Sequence, residues 1–167
     1  MDIKRSYTLG QLMNIDAMRQ ERASYCQVEL VKTYHLLDLV ALPDRLRSQF
    51  GRKTHLRGYF VVFKFKVVSN TGKAHIVYIR VNPDFDLNKW DQNQAQVYCD
   101  CEDFKYRSSW TLNDKNSLFL TDRIKNDLGA SLTETPKKGS KTSLLCKHAF
   151  AAVQWLVNNY VSVMKTI

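Results

Sequence analysis

The sequence has no run of 18 or more apolar residues, so no stretch of it reads as a membrane-spanning helix. Its opening, Met1–Gly10, lacks the apolar core of a secretory signal, and the expectation is a soluble protein made in a reducing cytoplasm and not exported by a signal peptide. Cysteine is scarce: Cys26, Cys99, Cys101 and Cys146 are too few to hold 167 residues together as a disulfide scaffold. There is no Walker-type loop, no Gly-rich dinucleotide turn and no Gly-x-Ser-x-Gly elbow, which removes the common nucleotide-binding and serine-hydrolase signatures. Internal repeats are also absent. Acidic residues are thin in the middle of the chain, where residues 51–98 carry 8 basic groups against 3 acidic ones and supply much of the net +9. Such concentrated positive potential suits nucleic acid or an acidic protein partner equally well.

What is present points to an ordinary globular core. With 44% hydrophobic and 25% charged residues, a chain of this length can bury enough surface to fold without staples, so a metal would be local reinforcement or a functional device. Thr8 with Gln11 and Ser24 with Gln27 both have capping-box spacing, which predicts two N-terminal helices. The second is expected over Ser24–Val40, with Val28, Val31, Leu36, Leu37 and Val40 as its apolar stripe, and a short helical turn follows Pro43 at Asp44–Gln49. From Leu56 the period becomes two. Tyr59, Val61, Phe63, Phe65 and Val67 share one face, and the turn Ser69-Asn70-Thr71-Gly72 leads into His75–Val81, so Tyr59–Val68 and His75–Val81 read as an antiparallel hairpin. Gln96–Cys101 is expected to add a third strand. A short helix is expected at Asp122–Leu128, an exposed polar loop at Thr133–Ser143, and a buried helix from Cys146 on, with Phe150, Val153, Val157, Tyr160, Val161 and Met164 at helical spacing.

The expected fold is therefore α+β in a single domain, 1–167: a helical N-terminal part (1–55), a hairpin region (56–98), a metal-binding segment (99–148) with a long insert (102–145), and a C-terminal helix (149–167) packed on a small antiparallel sheet.

The chemistry gathers in two short clips, Cys99-Asp100-Cys101 and Cys146-Lys147-His148, separated by 44 residues. In a strand, residues i and i+2 face the same way, so both thiolates of the first clip can reach one ion. At a helix start, a Cys and a His can point outward together, and the positive helix end favours a thiolate. Three thiolates and one imidazole fill a tetrahedral shell, the pattern of a closed, structural zinc site. Cys26 has no such neighbour and reads as a packed thiol.

The longer strings VYCDCEDFKYR and CKHAFAAVQWL resemble the SWIM-type zinc finger over about Val97–Leu156, with an insert longer than is usual for that finger. The resemblance implies one structural zinc ion held by Cys99, Cys101, Cys146 and His148, with Phe104 and Tyr106 packed beside it, and a role in binding DNA or proteins. The overall layout, helices followed by a basic hairpin, a finger and a terminal helix, resembles small virion proteins of tailed bacteriophages. That likeness implies a non-enzymatic structural component of the neck, tail or baseplate, assembled with other virion proteins in a symmetric particle after synthesis in the host cytoplasm. No membrane and no small-molecule substrate are expected.

Other residues admit other roles. Arg52, Lys53, Arg57, Lys64, Lys66, Lys73 and Arg80 could form a phosphate-contacting or acidic-partner surface, the basis of an alternative reading as a nucleic-acid-binding protein; the same lysines also keep an exposed sheet soluble. Tyr59, Phe60 and Tyr78 could stack on single strands or simply fill the core. Asp84, Asp86, Asp91, Asp100, Glu102 and Asp103 could be a nuclease-like carboxylate group, although a second motif is missing. Leu118, Phe119 and Leu120 could anchor a partner beside the polar loop, or belong to the chain's own core.

Overall fold

A computed structural model of the chain describes residues 6–35, 60–82, 87–132 and 144–166. They form an α+β fold on a four-stranded antiparallel meander, in spatial order β1-β2-β3-β4. Two short helices, α1 (Leu9–Leu12) and α2 (Ala17–Ser24), precede the sheet. The expected capping box opens α1: the Thr8 amide donates to Gln11 Oε1 at 2.9 Å and the Gln11 amide to Thr8 Oγ1 at 3.2 Å.

The second expected helix is corrected. Ser24 ends α2 instead of starting a helix, its hydroxyl donating back to the Glu21 carbonyl, and Gln27–His35 is a strand, β1. A β-bulge between Leu30 and Lys32 explains the misleading pattern. The extra residue shifts the alternation by one and leaves Val31 48% exposed, so Val28 and Val31 fall at a helical spacing inside a strand. The other expected features of this region, Leu36–Val40 and the turn at Asp44–Gln49, lie outside the described residues.

The hairpin forms as expected from β2 (Val61–Val68) and β3 (Ala74–Val81), with Phe63 opposite Ile79 and Phe65 opposite Val77. Gly72 sits at φ +84° in the connecting turn, a conformation that favours glycine. The last strand, β4, is Ala95–Cys99 and stops two residues short of the expected end at Cys101. Register places Val61, Phe63, Phe65, Val67, Val77, Ile79, Val81, Ala95, Val97 and Cys99 on one face, and all are buried. The long helix that covers this face touches all four strands, and Trp155 meets Phe65 edge-on at 5.5 Å.

The opposite face is covered by the described part of the long insert, 102–132. A π-helical turn (Phe104–Ser108) runs into α3 (Ser109–Asp114), Leu118 bridges Val97 in parallel, and α4 (Asp122–Leu128) follows where it was expected. Phe119 stacks on Tyr78 at 5.2 Å, and Phe104 meets Tyr98 edge-on at 5.7 Å. Its apolar residues are spread over pieces too short to show a period, which is why the order was not legible. Leu118 and Phe119 are thus core residues, 1% and 0% exposed, and not a surface anchor; Leu120 is half-buried against the same core. The chain ends in α5 (Lys147–Lys165). No helix among the described residues is long and apolar enough to cross a membrane.

The strand assignment of β1 has a direct test. Val31→Lys should change stability by no more than about 0.5 kcal/mol because its side chain faces solvent, whereas Phe65→Ala should cost about 3–5 kcal/mol through the cavity it leaves. Urea unfolding of the two variants compares them.

Candidate metal centre

Strand register turns Cys99, the last residue of β4 and the partner of Val77, toward α5. The chain then bends at Asp100. Its amide donates to the Ile76 carbonyl at 3.2 Å, and its carboxylate accepts from the Ile76 amide at 3.2 Å and from His75 Nδ1 at 2.9 Å. This folds Cys101 back over the sheet end, where its sulfur accepts from the Phe104 amide at 3.3 Å. From the other side, Cys146 is the N-cap of α5 and its sulfur accepts from the Ala149 amide at 3.4 Å, the place usually taken by a Ser or Asp oxygen. His148 lies in the first turn. The four ligand atoms are within 4.8 Å of one another and all four residues are buried. Ligands about 2.3 Å from a shared ion sit on the order of 4 Å apart, so the cluster has the dimensions of a tetrahedral site.

Two observations test whether the residues fit a metal. Both ring nitrogens of His148 are buried without a hydrogen-bond partner, a costly arrangement that ligation relieves. Burial pushes the Cys99 and Cys146 thiols well above their ordinary value, while hydrogen bonds from Cys146 and Cys99 hold Cys101 far below it. Burial therefore opposes ionising Cys99 and Cys146, and a divalent cation held by the cluster would favour it. Three sulfurs and one imidazole nitrogen suit a soft or borderline ion and not an oxygen-seeking one. The cluster could hold one metal ion.

Sequence reasoning missed His75. Its ring lies 4.2 Å from that of His148 at 37°, and the Asp100 carboxylate fixes its other side, so Asp100 and His75 buttress the ligand ring. The available signal was a histidine at an inward-facing position of an alternating strand. Of the two aromatics expected beside the site, Phe104 is buried there, but Tyr106 is 62% exposed. Cys26 is apart from the cluster, half-buried, with its thiol directed to the Arg22 carbonyl at 3.8 Å.

The expected basic surface is only partly assembled. Arg52, Lys53 and Arg57 lie outside the described residues. Lys66 and Lys73 are exposed, Lys64 is half-buried, and Lys32, which was overlooked, stands opposite Lys64 on the same face. Arg80 is corrected: it is 6% exposed, lies 4.4 Å from the Phe60 ring centroid, donates to Gln96 Oε1 at 3.3 Å, and burial lowers its pKa to about 10. It belongs to the core. The carboxylates do not converge. Asp100 is held by His75 and Asp103 by Arg107, Glu102 and Asp91 face solvent, and Asp84 and Asp86 are outside the described residues.

Compared with protein-family models, with curated proteins and with solved structures, the chain matches none.

Replacing one ligand should open this corner. Cys146→Ser is expected to abolish binding of one metal ion per chain and to cost about 4 kcal/mol or more, the range typical of a lost metal. At roughly 2–4 °C per kcal/mol, Tm should fall by roughly 8–16 °C. Cys26→Ser should keep the full metal content. Elemental analysis and thermal unfolding of both variants decide it.

Proposed function

We propose that this chain is a non-enzymatic assembly protein, closed at one corner by a single structural zinc ion on Cys99, Cys101, Cys146 and His148, that works through protein–protein contacts. The observation that carries the reading is the buried cluster of four donors within 4.8 Å of one another: around a zinc ion they would complete a tetrahedral shell and would leave no position for a substrate or an activated water. An ion so held contributes folding energy, about 10–16 kcal/mol of apparent binding in zinc-finger peptides. The SWIM-like strings around the four ligands and the overall layout support placing the protein in a tailed-phage virion, in the neck, tail or baseplate. There it would contact other virion proteins.

A second reading, nucleic-acid binding through the hairpin, is favoured by one arrangement. Lys32 stands directly opposite Lys64, with Glu29 opposite Lys66, on a face that also carries Tyr78. Like charges across a strand pair destabilise it, and a phosphate between them would relieve that cost.

The two readings separate in complementation of assembling particles and in DNA binding. Cys146→Ser should be missing from purified particles, whereas Lys64→Gln/Lys66→Gln should be incorporated at the normal level. Zinc-loaded protein should show no duplex or single-stranded DNA binding near physiological salt. Binding that survives there, with a log–log salt slope equal to about four or more released counterions, would instead select the nucleic-acid reading.

A further inference from the structure

We propose that a concavity of about 260 Å³ beside the metal cluster is a docking socket for an acidic segment of a protein partner. The proposal rests on the assembly reading and names the chemistry of one contact. Three parts of the chain far apart in sequence line the opening: α2 supplies Arg19 and Arg22, the π-helical turn supplies Arg107 with Asp103 just before it, and the start of α5 supplies Lys147 between Cys146 and His148 of the cluster, which line it too. Four cations therefore converge on one hollow. Arg19 is paired with Asp16 at 2.5 Å and reaches Asp103 at 3.9 Å, and Asp103 also holds Arg107 at 3.2 Å. Arg22 and Lys147 make no ion pair among the described residues. The two carboxylates offset two of the four cations, and Arg22 and Lys147 hold no internal carboxylate.

Solubility does not account for this arrangement. Lysines kept for solubility are dispersed on open surface, whereas these four line one hollow, with Arg19 only 13% exposed and the more exposed Arg22 and Arg107 at its rim. Three of the four cations are arginines, whose planar fork grips carboxylates in pairs of hydrogen bonds. The positive end of the 19-residue α5 opens at the same place and favours an anion there.

The size and the walls choose the partner. Pockets for cofactors and drug-sized ligands run from about 300 Å³ upward, so this hollow suits a carboxylate side chain or two and not a nucleotide. Asp103 in the wall and Asp16 behind it would repel the successive phosphates of a nucleic acid, which binds best along an unbroken basic track. A carboxylate needs only the two cations that are left free.

The test uses the zinc-loaded full chain, with hexaglutamate as the probe, hexaglutamine as its neutral counterpart and a short single-stranded DNA oligonucleotide as the competing polyanion. Hexaglutamate, and not hexaglutamine, should shift the NMR signals of the Arg19, Arg22 and Arg107 side-chain N–H groups. Arg22→Gln/Lys147→Gln should weaken its binding about tenfold or more while one zinc ion per chain stays bound, because neither residue holds an internal carboxylate or offers a metal ligand. Lys66→Gln/Lys73→Gln removes the same charge from the hairpin and should weaken it by less than about twofold. Equal loss in both double variants, absence of the arginine shifts, or tighter binding of the oligonucleotide at the same signals would overturn the socket. Arg22→Gln/Lys147→Gln protein that enters particles normally would also overturn it while the assembly reading stands. Normal entry of Cys146→Ser would remove the assembly reading itself.

Discussion

Three cysteine sulfurs and an imidazole are enclosed in one corner, and burial raises the cost of ionising Cys99 and Cys146 there unless a cation shares the enclosure. That constraint organises the rest of the molecule because of where the corner lies. Cys99 ends the last strand of the sheet, and Cys146 caps the one helix that touches every strand. The whole excursion 102–145 leaves from and returns to this point. Closing the corner fixes both roots of that excursion, and with them the coverings of both faces of the sheet. An enclosure that costs free energy when its charges are unmatched becomes a clamp once they are matched.

The sheet needs both coverings. Its α5-facing side is apolar except for His75 at the corner, but its other side carries Tyr98, Arg80 and Gln96 within the core with Tyr78 half-buried beside them, and these need partners as well as cover. The excursion supplies them. Gln96 Nε2 donates to the Asn116 carbonyl at 3.1 Å, the Ser6 hydroxyl donates to that carbonyl too, and the Tyr7 amide donates to Ser117 Oγ. These bonds stitch the N-terminal segment, the sheet edge and the excursion into one polar seam. Asn93 adds a tie to the far end of α5, donating to the Tyr160 hydroxyl at 2.6 Å. A buried polar seam specifies an arrangement that apolar packing alone would leave loose.

What the sequence made legible was whatever has a period or a fixed spacing. The Thr8 and Gln11 capping box, the hairpin, the helix at Asp122–Leu128, the long terminal helix and the four metal ligands all carry such a signature. The failures share a cause as well. In β1 a single bulged residue broke the alternation and imitated a helix. In 102–121 the elements are shorter than the window a period needs. Arg80 looked like a surface cation because its face of the hairpin also carries Lys64 and Lys66, and the covering by Phe60 and Gln96 makes it a core residue. His75 stands at an inward-facing position of its strand, but its place against His148, like the basic hollow, is assembled by tertiary contact between segments remote in sequence.

The proposed metal and the proposed partner would be connected through that assembly. The hollow is built from α2, the turn that begins just after Cys101 and the first turn of α5, and the last two are anchored by ligands of the cluster. If the corner opens, Arg107 and Lys147 lose their fixed separation, and the convergence of charge is lost with it. An ion that binds the folded corner and not the unfolded chain therefore raises the population of the state able to receive an anion, by mass action and without touching the anion. The electrostatics point the same way. Three thiolates on one divalent cation would leave a net negative centre, and the nearby arginines and lysine would lower the cost of holding that charge in a buried place. The same cations then serve the cluster from one side and face solvent from the other.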